Sequence, residues 1–199
     1  MERLLKKLQS DGRLGALFVA NFIFSFHFFL LVYFFSSFLN ERGVEERLLG
    51  VVYIASSLLS ILGMMLFPRA LKVFGNYKSI VALIIAGFFA YIGFALIENI
   101  WVTIGIAILS GPLFPLAILS LDIFLENNMT DESMTGSIRG SFLTTTNIAL
   151  ILAPLVGGFI INEQGFGALY LVSATFLIPF FIIIARYLHS FKDPSYEGI

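Results

Sequence analysis

The sequence contains no cysteine, which excludes a disulfide framework, a thiolate metal site and a thiol redox couple. Charge is scarce as well: Asp, Glu, Lys and Arg make up 13% of the 199 residues, against about 25% in soluble domains. The net charge of -1 supplies none of the basic surface that nucleic-acid binding needs. No glycine-rich loop suited to nucleotide phosphates and no cluster of metal-ligating residues is present, so neither an ATP-driven step, a metal nor a cofactor is expected. What remains is apolar. Hydrophobic residues account for 58% of the chain, phenylalanine alone for 23 positions, and mean hydropathy is +0.94. A soluble fold of this length has no interior large enough for that surface, so the chain belongs in a bilayer.

The N-terminal stretch MERLLKKLQSDGR has the basic character of a signal peptide, but the apolar run Leu14–Leu39 behind it far exceeds the roughly 7–15 residues of a cleavable signal. It reads as an uncleaved first span. Six segments approach the roughly 20 residues needed to cross the hydrocarbon core, near 14–39, 48–68, 79–97, 100–125, 139–161 and 167–189. The expected fold is therefore all-α, with a short segment 1–13, a six-helix bundle over 14–189 and a polar run 190–199. Lys and Arg are asymmetrically placed: Arg3, Lys6, Lys7, Arg13, Arg69, Lys72, Lys78, Arg139, Arg186 and Lys192 fall on one side, Arg42 and Arg47 on the other. The bias toward the cytoplasmic side predicts that both termini are cytoplasmic, as an even number of spans requires.

Small residues and prolines concentrate in two spans. The fourth holds Ser110-Gly111-Pro112 and Pro115; the fifth holds Ala149, Ala153, Pro154, Gly157 and Gly158. Ala149, Ala153 and Gly157 recur every four residues and so share one helix face, a spacing that lets two backbones approach closely in lipid.

These features resemble the major facilitator superfamily of secondary transporters, and the chain is similar to the N-terminal six-helix half over essentially its whole length. The loop Pro68–Lys78 occupies the place of the motif G-x-x-x-D-[RK]-x-G-[RK]-[RK]. Gly75 matches the central glycine and Lys78 supplies a basic residue just past it, while Pro68 replaces a glycine and Lys72 the acidic residue. Ala153-Pro154-Leu155-Val156-Gly157-Gly158 resembles the fifth-span motif G-x-x-x-G-P-x-x-G-G, with Ala149 and Ala153 in place of its earlier glycines. Thr135-Gly136-Ser137-Ile138-Arg139-Gly140, before a Thr- and Asn-containing span, resembles the start of the family's fifth helix. The resemblance implies a half bundle of 3+3 inverted repeats, and a carrier that is not an enzyme. It implies movement of a small solute by alternating access, with antiport favoured and protons the candidate coupling ion, in the plasma or bacterial inner membrane. It also implies a second six-helix half as partner, whether from a missing C-terminal region, a separate chain or a second copy. The Pro/Gly face of the fifth span is the expected contact for that half.

Ionisable and amide groups inside a span are costly and mark functional candidates. Asn21, Ser25 and His27 in the first span, with Thr145 and Asn147 in the fifth, are the candidates for a substrate or proton pathway. A latch of the kind the family implies at the cytoplasmic ends would draw on Arg69, Lys72, Gly75, Lys78, Asp122, Glu126 and Arg139. Asp122 is its expected acidic partner, pairing with Arg139 or a second-loop cation. No Lys or Arg lies deep in a span to hold an anion, which points to an apolar or neutral solute. Two other classes compete: a channel or accessory membrane subunit, and a rhomboid-like serine protease built on Ser110. For the protease, Ile108 stands where the first motif glycine belongs, and the histidines, His27 and His189, are poorly placed.

Overall fold

The structure, a computed structural model, describes residues 12–129, 134–194 and 196; most of the N-terminal segment 1–13 and the end of the polar run lie outside the described residues. All described elements are helical: α1 (Gly12–Val32), α2 (Phe35–Glu41), α3 (Glu46–Leu96), α4 (Ile100–Ser110), α5 (Leu113–Asn128) and α6 (Thr135–Tyr187). Leu, Ile, Phe and Ala dominate these segments, and in lipid only a helix can satisfy their backbone groups internally. Four stretches are long and apolar enough to cross a membrane: Gly12–Val32, Glu46–Leu96, Ile100–Asn128 and Thr135–Tyr187.

Two helices run longer than the spans expected from sequence. The stretches read as the loops Pro68–Lys78 and Asn162–Gly167 are helical except at one glycine each. Gly75 has φ 77° and Gly165 φ 78°, a left-handed backbone that glycine adopts without the steric penalty of a Cβ. The chain reverses there. The Phe35 ring lies 5.9 Å from Tyr53 and 5.8 Å from Phe94, whereas an unbroken helix would hold those two α3 residues about 60 Å apart. Likewise α1 touches both arms of α6, through Asn21 with Phe142 and through Phe24 with Phe180. Conversely, the single first and fourth spans expected from sequence are each interrupted, at Tyr33-Phe34 and at Gly111-Pro112. Proline at 112 has no N–H to extend the α4 ladder.

Helix α1 is the central element, with ten buried residues among its 21. Toward the Gly75 end it packs Leu14, Leu17 and Phe24 against Ile84, Phe124 and Phe180. Toward the Gly165 end, Leu30 and α2's Phe38 meet Val52, Phe94, Ala153 and Tyr170. Since lipid tails are as apolar as these side chains, close packing and interhelical hydrogen bonds hold such a bundle together rather than water exclusion.

Candidate functional site: a polar seam along the central helix

Asn21 and Ser25 lie one turn apart on α1 and face the first arm of α6. Asn21 is fully buried. Its Nδ2 lies 2.9 Å from the Phe142 carbonyl, 2.8 Å from Thr145 Oγ1 and 2.9 Å from Thr146 Oγ1. An amide nitrogen has two hydrogens for these three acceptors. Thr145 Oγ1 also donates to the Phe142 carbonyl at 2.7 Å, and Ser25 Oγ reaches Thr146 Oγ1 at 3.5 Å. The Asn21 Oδ1 is buried with no partner among the described residues. Three of the sequence-predicted pathway residues, Asn21, Ser25 and Thr145, therefore meet, and Thr146 joins them. Their geometry is that of a helix–helix clasp.

The helices come this close because the facing residues are small. Ala20, Ala149 and Ala153 are fully buried and Gly157 is buried. A Cβ at Gly157 would stand 2.6 Å from Phe34 Cε2 and 3.3 Å from the Leu30 carbonyl. The small face of α6, expected to meet a second half, is thus covered from within the chain by α1 and the turn after it. Gly158 and Pro154, one and three positions away from Gly157, are only partly buried.

His27 points elsewhere on α1, toward the second arm of α6. Its Nδ1 lies 2.6 Å from Ser173 Oγ and 2.8 Å from the Ser173 carbonyl, while Ser173 Oγ donates to the His27 carbonyl at 3.1 Å. These contacts close as a reciprocal pair when Nδ1–H donates to the Ser173 carbonyl and the serine hydroxyl donates to the His27 carbonyl. The ring is 1% exposed, with Tyr91 edge-on at 4.6 Å and Phe24 at 6.0 Å. Among the described residues no charged side chain hydrogen-bonds to it, so the structure gives this histidine a pinning contact in place of a relay partner. Sequence reasoning missed Ser173, whose only signal was a serine inside the apolar sixth segment. His27 is not paired with Ser110 either; Ser110 Oγ donates to the Ala107 carbonyl at 3.3 Å.

Asn147 differs from all of these. It is exposed and forms no hydrogen bond among the described residues, on a face of α6 shared with exposed Leu143, Ile148, Ile151 and Leu155.

At the Gly75 end the charged groups are arranged differently from the expected latch. Arg69, Lys72 and Lys78 are exposed, and among the described residues none of them forms an ion pair. Asp122 is exposed beside Arg139, but Arg139 forms its ion pair with Glu126. The contact on the α3 reversal comes from after the bundle. Asp193 Oδ1 accepts from the Asn76 backbone N–H at 2.7 Å and from the Tyr196 hydroxyl at 2.5 Å. Asn76 Nδ2 donates to the Ser120 carbonyl at 2.9 Å. Asp193 thus caps the N-terminus of the second α3 arm from another part of the chain, a position where anions are favoured. Lys72, standing where a carboxylate was expected, cannot play that part. Asn127 Nδ2 donates to the Lys192 carbonyl at 3.0 Å, and Phe191 sits edge-on to Phe124 at 4.5 Å, so the polar run is seated along the bundle end. Burial first, and then its bond to Asp193, push the Tyr196 phenol above its ordinary range.

No protein-family model matches the chain, and no curated protein is significantly similar to it.

Proposed function

We propose that the chain is the N-terminal half of a secondary transporter of the major facilitator type, which carries a small apolar or neutral solute by alternating access. In this reading α3 and α6 each make two membrane passes and α1 and the α4–α5 stretch one each, giving six in all, with both ends of the chain on the cytoplasmic side and antiport with protons as the working mode. A second six-helix half completes the pathway between the two units. The observation that carries the reading is Asn147. Every other polar group proposed for the pathway is engaged inside the bundle, but this amide stands exposed on an apolar helix with no partner among the described residues. An amide in hydrocarbon costs several kcal/mol unless it finds a hydrogen bond. A water-filled cleft facing a second half supplies one. The first α3 arm offers a comparably uncovered surface at Ile54, Leu58, Ile61 and Met65.

The chain's lack of cysteine makes the test clean. Single Asn147→Cys and Phe89→Cys variants are expressed in cells and treated with a membrane-impermeant thiol reagent. Phe89 is exposed on the second α3 arm and serves as the lipid-facing control. The proposal expects modification at 147, slowed by a transported solute, and none at 89. Equal inertness of both positions would overturn it. Ser110, the serine considered for a protease, and His27 hydrogen-bond to separate backbone carbonyls. A channel would instead pass solute without saturation.

A further inference from the structure

A cavity of about 200 Å³ lies inside the bundle where α1, the first arm of α3 and the α4–α5 break converge. It is distinct from the cleft proposed above, since its walls come from within this one bundle. The break creates it. The ladder is interrupted at Gly111-Pro112, and a Cβ at Gly111 would collide with Ser56 Oγ, so glycine is needed for α3 to close over the break. Phe28, Phe35, Phe94 and Phe114 line the space together with Tyr53, Tyr91 and Tyr170. Tyr170 is 1% exposed and its hydroxyl has no hydrogen-bond partner among the described residues.

We infer that this cavity is a binding site for a neutral compound with a single aromatic ring. Three observations select that chemistry. An apolar cavity of roughly 150 Å³ is enough to admit benzene, so the volume suits one substituted ring. The walls are aromatic, and ring edges and faces attract another ring beyond area burial alone. No lining residue carries a charge, so a charged ligand would enter unpaired. Val32 and Tyr53, both part of the lining, are 42% and 43% exposed and mark the mouth.

The test uses 4-fluorotoluene as probe, followed by fluorine NMR with the purified chain in lipid nanodiscs, against empty nanodiscs to subtract partitioning. Saturable binding is expected. Ala107→Leu and Val52→Phe fill the space from opposite walls and should each abolish binding in protein whose helix content and melting temperature match the parent. Partitioning without saturation, or undiminished binding in a folded cavity-filling variant, overturns the site. Because no second half is involved, failure here leaves the transporter reading standing, and the reverse holds too.

Discussion

Replacing Asp193 with alanine removes the side chain that caps the second α3 arm. The lost contacts are the bond from the Asn76 N–H at 2.7 Å and that from the Tyr196 hydroxyl at 2.5 Å. Loss of an N-cap costs about 1 kcal/mol, and a hydrogen bond to a charged group contributes about 1.5–3 kcal/mol. The two figures describe overlapping effects, so the expected loss is about 2 kcal/mol in all. For a chain of this size that corresponds to a fall in melting temperature of about 4–8 °C, read by circular dichroism in detergent. Asp193→Asn keeps an acceptor without the charge and should lose about half as much. Undocking also frees the Lys192–Asp193 bond, whose carbonyl is held by Asn127, so tryptic cleavage after Lys192 should accelerate. An alanine variant that melts within about 1 °C of the parent, with unchanged cleavage, would refute the capping role.

Three further outcomes follow from the same contacts. Gly157→Ala should destabilise the bundle by about 1–3 kcal/mol through overpacking. Gly158→Ala, whose Cβ would be 4.0 Å from Phe34 Cζ, should be neutral or slightly stabilising; equal melting of the two variants would contradict an internal small-residue face. Asn21→Leu should cost about 0.6–1.7 kcal/mol, the range of interhelical hydrogen bonds in membranes, with Thr145→Val far milder when combined with Asn21→Leu than alone. The Tyr196 phenol titrates higher in the folded chain than the ordinary 10.0. Its contribution to tail docking should therefore hold below pH 10 and decline as pH rises through the raised value. The ultraviolet difference between the parent and Tyr196→Phe should show phenolate absorbance appearing above pH 10, and in Asp193→Ala that absorbance should appear at lower pH than in the parent.

Element type and membrane class were legible because they depend on composition summed over long segments. Fine boundaries were not. Pro68, Asn76 and Lys78 look like loop residues, yet the helix continues on both sides of Gly75, since one left-handed residue suffices to reverse the chain. The run Ser110-Gly111-Pro112 stood out for its small residues and proline within a single expected span, while the break there and the cavity against Tyr170 emerge only where distant stretches of sequence come together. The Ala149-Ala153-Gly157 spacing announced a close helix approach, but the partner expected for it, a second half, is not the one that covers it. Leu30 and Phe34 occupy that face, so it is unavailable to a second half.

By itself, then, the sequence determined the solvent, the helical state and the places where backbone could approach backbone. Those properties follow from local chemistry: apolar content, absent cysteine and charge, and small residues at a four-residue period. The tertiary structure alone decided which groups satisfy one another. Asn21 meets Thr145 and Thr146, His27 meets Ser173, Asp193 meets the Asn76 N–H, and Asn147 and the Tyr170 hydroxyl are left without partners among the described residues. Hydrogen-bond partners and cavities between residues far apart in the chain depend on how the helices rotate and cross, which no local pattern specifies.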